Sequence, residues 1–133
     1  MTEPRGAVGV EVGIVTADAE TLADFYTAGL GFTVEAVHTF AAGSVHRLRR
    51  GEARCKLFQP AAGVEERPAP EPWYARPGIV YGALLVDDAG AEVERARAAG
   101  ADVLHAVESH RPGARYALIR DPEGNVWEIL EER

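Results

Sequence analysis

Two glutamates lie in segments that otherwise resemble apolar β-strands, and a carboxylate in such a place can do chemistry. Glu11 lies in VGVEVGIV (residues 8–15), on the opposite face from the valines. Glu128 lies in DPEGNVWEIL (residues 121–130), after a turn whose proline, glycine and asparagine favour a tight hairpin. Either carboxylate could accept a proton from a substrate or bind a metal ion. Each also has an ordinary interpretation, as a solvated strand-edge residue or as a structural ion-pair partner.

Four histidines and one cysteine are the other candidates for chemistry. His38 and His46 lie on neighbouring predicted strands, and either could act as an acid or base if it faced a pocket. His105 and His110 flank a predicted loop and are expected at the surface. Cys55 is expected to face a helix as an apolar filler.

Composition excludes several classes of protein. The 133 residues predict one domain, and the net charge of 14 minus 21, or −7, argues against nucleic acid or an anionic membrane as a partner. One cysteine excludes an internal disulfide, and neither a signal peptide nor an apolar run of about 20 residues is present. These features predict a cytoplasmic protein, and the richness in Ala, Arg, Gly and Glu suggests a bacterial one.

The elements that must position these side chains form a repeated pattern. Strand-like alternation over residues 8–15 precedes a helix capped by Asp18 and ending at Gly29, and a second helix ends at Gly100. Predicted strands after the first helix cover residues 32–40, 43–50 and 53–59. A strand at 79–87 precedes the second helix, and strands at about 102–108, 114–120 and 125–131 follow it.

The order strand-helix-strand-strand-strand therefore occurs twice, which predicts an α+β fold. Two βαβββ modules, residues 8–59 and 79–131, would form one domain over residues 1–133 with a curved mixed sheet around a cup and the helices outside. Between them, residues 60–78 contain five of the eight prolines and predict a connecting loop. Its aromatic residues, Trp73 and Tyr74, could cover the cup or pack against another surface.

The order and spacing of three segments resemble the vicinal oxygen chelate superfamily, which includes glyoxalase I, extradiol dioxygenases, methylmalonyl-CoA epimerase and bleomycin-resistance proteins. The segments are DFYTAGLGF (24–32), VDDAGAEVERARAAGADV (86–103) and DPEGNVWEIL. The resemblance extends over about residues 8–131 and implies the fold. It does not imply a single activity, because the superfamily contains many.

Metal-dependent members of this superfamily carry ligands at four strand positions, which match Glu11, Lys56, Tyr81 and Glu128 here. Two glutamates alone do not make a divalent site, because lysine is a cation and tyrosine a poor ligand. We therefore expect no metal, with the Lys56 ammonium lying between the two carboxylates in its place. A relocated metal site that uses His38 or His46, for example with Glu11 and Glu128, remains an alternative.

Two functions are compatible with these residues. The first is a metal-independent protein that binds a small organic molecule in its cup, similar to bleomycin-resistance and antibiotic-sequestering proteins. Glutamates in the cup favour a cationic ligand, although Lys56 weakens that argument. The resemblance implies a homodimer, and the predicted ligand-binding residues are Glu11, Lys56, Phe58, Trp73, Tyr74, Tyr81 and Glu128.

The second function is a lyase, isomerase or epimerase. Glu128 or Glu11 would remove a proton next to a carbonyl, and Lys56 or Tyr81 would stabilise the enolate oxygen. An extradiol dioxygenase is the least compatible member, because its iron requires histidines that are missing from the matched positions.

Overall fold

The computed structural model describes residues 5–133, which form two consecutive modules. The first module contains β1 (Val12–Val15), α1 (Ala19–Leu30), β2 (Thr33–Phe40), β3 (Gly43–Arg50) and β4 (Ala53–Pro60). The second contains β5 (Tyr81–Val86), α2 (Ala89–Ala98), β6 (Asp102–Arg111), β7 (Ala114–Arg120) and β8 (Val126–Glu132). Neither helix in this part of the chain is long and apolar enough to cross a membrane.

Each module forms its own four-stranded mixed sheet. The strand order is β1-β4-β3-β2 in the first sheet and β5-β8-β7-β6 in the second. The first strand of each module pairs in parallel with the last, and the other neighbours are antiparallel. This architecture confirms the predicted α+β fold with two βαβββ modules. It also leaves β1 and β5 as edge strands of their sheets.

The first strand is shorter than the alternation predicted. The prediction covered residues 8–15, whereas β1 begins at Val12. Its parallel register starts with Val12 opposite Cys55, only two residues after β4 begins. Pairing with β4 therefore begins later than the apolar alternation does, and alternation in the sequence cannot detect where pairing begins.

The first helix is longer than predicted, since it ends at Leu30 with Gly31 as its cap and not at Gly29. Gly31 has a φ of 71°, and its N–H donates to the carbonyl of Tyr26, which is a left-handed helix cap. Gly29 instead lies inside the helix, where a side chain would meet the Phe25 ring at 3.0 Å. Its small size serves packing and not helix termination.

In each module the helix packs on one side of the sheet, which we call the helix face. The other side of each sheet is the open face. Cys55 and Leu57 are fully buried on the helix face of the first sheet. Trp127 is buried on the helix face of the second sheet, one residue from Glu128 on the open face. The predicted positions of Cys55 and Trp127 are therefore confirmed.

The helix N-termini are capped in the same way in both modules, which reveals the repeat in atomic detail. Asp18 accepts from the Thr21 N–H and Asp88 from the Ala91 N–H, both at 3.1 Å. A side chain from the last strand also accepts from the first helical N–H of each helix. These acceptors are Gln59, 2.8 Å from the Ala19 nitrogen, and Glu131, 3.0 Å from the Ala89 nitrogen.

Glu131 is a charged residue at a buried position and is therefore heavily paired. Its carboxylate accepts two hydrogen bonds from Arg115, at 2.8 and 3.0 Å, besides the one from the helix. The bonds from Arg115, followed by the bond from the Ala89 N–H, lower the pKa of Glu131 to about 2. The carboxylate therefore stays ionised and keeps α2 anchored to β8 at any ordinary pH.

A buried hydrogen-bond group joins the two modules. The Tyr26 hydroxyl of α1 donates to Asp121 at 2.7 Å and accepts from the Trp127 indole N–H at 2.8 Å. Burial, followed by the nearby Asp121 charge, strongly raises the pKa of Tyr26, so this hydroxyl remains a donor. At the C-terminal end of α1, Arg50 of β3 donates to the Leu30 carbonyl at 3.0 Å and forms a bidentate ion pair with Glu92 of α2, at 2.6 and 2.9 Å.

Replacing Tyr26 by phenylalanine is expected to destabilise the protein by about 1–3 kcal/mol. The ring packing remains, but the buried Trp127 N–H loses its acceptor, and the Asp121 oxygen keeps only its bond from the Asn125 amide. Urea unfolding followed by circular dichroism measures this change. Tyr74→Phe is the matched control, because the Tyr74 ring is 66% exposed. Equal losses in the two variants would show that the buried group does not hold the modules together.

Candidate functional site

A cavity of about 790 Å³ lies where the edge strands β1 and β5 approach each other. Residues 10–14 of the first module and residues 79–84 of the second form opposite walls. The connecting loop, the turn before β8 and residues of β4, β7 and β8 also contribute to the wall. Because this space lies between the two modules, its shape depends on the contacts that hold them together.

Three of the predicted site residues line this cavity, namely Glu11, Trp73 and Tyr81. The Lys56 ammonium lies 3.9 Å from a Glu11 carboxylate oxygen, at the limit of an ion pair, with its side chain 47% exposed. The Trp73 ring packs edge-on against Tyr81, with 5.7 Å between centroids. One half of the predicted charge arrangement, Glu11 with Lys56, is therefore present on the first sheet.

Glu128 lies on the second sheet, opposite Ala83 of β5 and Leu118 of β7. It is half-buried on the open face, as the alternation predicted, but it does not line the cavity. Among residues 5–133, the ion pairs of Lys56 include Glu11 and not Glu128. The chain therefore brings one of the two glutamates to the lysine and keeps the other on the second sheet. Phe58 and Tyr74 also lie outside the cavity wall.

The four matched positions do not suit a divalent metal ion. Lys56 has no lone pair to donate while it is charged, and its ammonium already approaches Glu11. His46 does not replace it, because His46 lies opposite the buried Leu57 and therefore on the helix face. His46 is therefore not on the open face that carries Glu128, as the relocated site with Glu11, Glu128 and His46 would need. Its neighbour His38 is opposite Val45 and lies on the open face.

Arg120 is a site residue that the sequence analysis missed. Its guanidinium donates to the Glu71 carboxylate at 2.6 Å and to the Pro70 carbonyl at 2.7 Å, and it also forms part of the cavity wall. These bonds fix the proline-rich loop in the position that places Trp73 over Tyr81. An arginine at a strand end gives no sequence signal for such a role, since its partners are about 50 residues away.

A second cluster that was missed lies on β6 and β7. His105 stacks on Tyr116 with ring centroids 5.0 Å apart, and His110 meets the same ring edge-on at 4.7 Å. Burial, followed by the charges of Glu108 and Glu128, raises the pKa of Tyr116. The two histidines were expected near a loop at the surface, but β6 extends to Arg111 and includes both.

The fold and the open cavity define a two-module α+β protein with a binding space between the modules. A family model matches residues 10–129, and the chain belongs to the Glyoxalase/Bleomycin resistance protein/Dioxygenase superfamily. This confirms the resemblance noted in the sequence. A comparison with curated proteins gave no match.

Several solved structures share this fold. A glyoxalase family protein from Bacillus cereus is 17% identical, with coverage of 99% of this chain and 98% of that chain and a TM-score of 0.81. TioX from Micromonospora sp. ML1 is 20% identical (94% and 96% covered, TM-score 0.69). TnmS3, an antibiotic-binding protein from Streptomyces sp. CB03234, is 23% identical (92% and 93% covered, TM-score 0.67).

Replacing Arg120 by glutamine is expected to release the connecting loop. Without the bonds to Glu71 and Pro70, the loop will open and chymotrypsin will cleave faster after Trp73 and Tyr74. Timed limited proteolysis with mass spectrometry identifies the sites and their rates.

A glutamine at position 71 tests the same contact without changing a buried residue, and it should have a smaller effect in the same direction. Arg111→Gln is the control, because Arg111 pairs with Glu132 at the surface, away from the loop. Unchanged cleavage after Trp73 and Tyr74 in the Arg120 variant would contradict the role assigned to Arg120.

Proposed function

We propose that this protein binds a small organic molecule in the cavity between β1 and β5 without a metal ion, with antibiotic sequestration as one such role. The observation that carries the proposal is the Glu11–Lys56 pair at 3.9 Å. Lys56 supplies a positive charge beside Glu11. In relatives that use a metal, the position of Lys56 would carry a metal ligand. The antibiotic-binding description of TnmS3 is consistent with this role.

The lining of the cavity supports a ligand with flat or apolar surface. Trp73 and Tyr81 present aromatic rings, and Val10 and Ile79 present aliphatic surface. Binding pockets for organic molecules combine such a lining with a few polar groups. Here Glu11 and Arg54 are the charged groups on the first module's wall.

We further propose that a second copy of the chain completes the cup. The edge strands β1 and β5 end their sheets within the described chain, and an open strand edge can pair with another chain. Three apolar residues next to these edges are almost fully exposed: Val8, Val10 and Ile79. Pairing of these edges with a partner would cover them and would also enclose the open faces that carry Lys56 and Glu128.

The enzymatic alternative, a lyase, isomerase or epimerase, uses the same cavity. Glu11 and Tyr81 both line it, so a carboxylate base and a phenol donor are available to one substrate. Glu128 would join them only through the completed cup. Turnover that is lost in Glu11→Gln or Glu128→Gln, with ligand affinity and stability unchanged, would favour this alternative over simple binding.

Removing the Trp73 ring is expected to weaken ligand binding by about tenfold, because an aromatic contact contributes on the order of 1 kcal/mol beyond its buried area. Trp73→Ala should show this loss in a calorimetric titration with a planar antibiotic. Tyr74→Ala is the matched control, since Tyr74 neighbours Trp73 but does not line the cavity.

A chelator present in both titrations should leave the affinity unchanged. If binding is lost when the chelator is present and recovers when a divalent metal is added, the proposal of metal-independent binding is contradicted. Equal losses in the Trp73 and Tyr74 variants would instead place the ligand outside this cavity.

Aspartate at Val8, which is exposed and does not line the cavity, is expected to convert a dimer into monomers, because a charge would be buried at the joined edges. Light scattering coupled to size-exclusion chromatography gives the mass directly. Val37→Asp is the matched control, an exposed valine on β2 at the far edge of the first sheet. A monomeric unmodified protein at all concentrations would exclude the second copy.

A further inference from the structure

The open face of the first sheet carries four cations in a block of two by two. Arg47 of β3 lies directly opposite Lys56 of β4, and Arg49 lies directly opposite Arg54. We call these four residues the cationic block. The chain as a whole has a net charge of −7, so the concentration of positive charge on one pair of strands runs against its composition.

This arrangement has an electrostatic cost that the described chain only partly offsets. Like charges directly opposite each other on paired strands are destabilising. Arg49 has Glu35 at 3.4 Å and Lys56 has Glu11 at 3.9 Å, whereas no ion pair or side-chain hydrogen bond of Arg47 or Arg54 occurs among residues 5–133. Four cations and two carboxylates leave the block with a charge of +2.

The fold itself does not require cations at these positions, because the second module does without them. Glu128 occupies the position of Lys56, and Leu118 lies opposite it. Among the four equivalent positions of the second module, Arg120 is the one cation, and it lies opposite Val126. Its guanidinium already donates hydrogen bonds to Glu71 and to the Pro70 carbonyl. The positive charge is therefore particular to the open face of the first sheet.

An aromatic surface lies beside the block on the same face. Phe40 and Phe58 stack with ring centroids 5.9 Å apart and an angle of 11° between their planes. Phe58 follows Lys56 by two positions, which is about 7 Å along a strand. Phe40 is 47% exposed, so its ring offers apolar area to a ligand.

We propose that the cationic block is an anion-recognition subsite and that the ligand of this protein is a flat aromatic molecule with a carboxylate. The inference rests on the proposed binding function and names the class of ligand. Arg54 connects the two, because it belongs both to the block and to the cavity wall. Arginine binds carboxylates through paired hydrogen bonds, which Arg47 and Arg54 have free to offer.

The size of the block favours a small molecule over an acidic macromolecule. Two residues along a strand and one strand spacing give a patch of about 7 by 5 Å, which matches one or two carboxylate groups. The neighbouring phenylalanine pair accommodates a ring at that distance. This conclusion differs from the cationic ligand that the glutamates favoured, because the cations outnumber the carboxylates on this face.

Three isosteric probes test the subsite by calorimetry on the full chain: 2-naphthoate, the neutral 2-naphthamide and the cationic 2-naphthylmethylamine. We expect naphthoate to bind about tenfold more tightly than naphthamide, and the amine to bind most weakly. Arg47→Gln and Arg54→Gln should each reduce the preference for naphthoate and leave naphthamide unaffected. Arg97→Gln on the exposed side of α2 is the control, and the preference should remain.

Thermal melting accompanies each variant, and Arg47→Gln should not lower the melting temperature, because it removes a like-charge contact with Lys56. If naphthamide binds as tightly as naphthoate and its binding depends on Trp73, the anion subsite is contradicted. The proposed binding function is then unaffected. Failure of all three probes to bind would overturn both. Tighter binding of a poly-glutamate peptide than of naphthoate would also overturn the small-molecule assignment.

Discussion

The contact on which the rest of this structure depends is the buried group of Tyr26, Asp121 and Trp127. The two sheets do not share a strand, so their relative position is set by side chains and not by a continuous ladder. A phenol that accepts from the indole N–H and donates to a carboxylate fixes distance and direction at once, because each bond has a narrow geometry. The cavity between β1 and β5 is a consequence of that fixed position.

Alternation along the strands was enough to predict which side chains share a face. Glu128 on the open face and Trp127 on the helix face follow from a period of two, and Cys55 next to Lys56 follows in the same way. The period of the apolar residues, together with the turn residues, also predicted the two βαβββ modules. These features are local, since each depends on residues that lie within a few positions of one another.

The missed features all depend on distances between segments that are remote in the sequence. The sequence placed Lys56 between two glutamates, but it has no information on how far the second sheet lies from the first. It also could not show that Arg120 holds the loop through Glu71, or that pairing of β1 with β4 begins only at Val12. Such contacts depend on packing between modules, for which a single sequence offers no periodic signal.

The two modules share one framework, so the positions at which they differ show where the chemistry of the site has diverged. Gln59 and Glu131 accept from equivalent helix N-termini in both modules. Three residues earlier in each strand stand Lys56 and Glu128, which have opposite charges. A metal site built symmetrically from both modules would need similar donors at such a pair of positions. Lys56 and Glu128 have opposite charges and do not offer such similar donors, and the Lys56 ammonium lies 3.9 Å from a Glu11 oxygen of its own module.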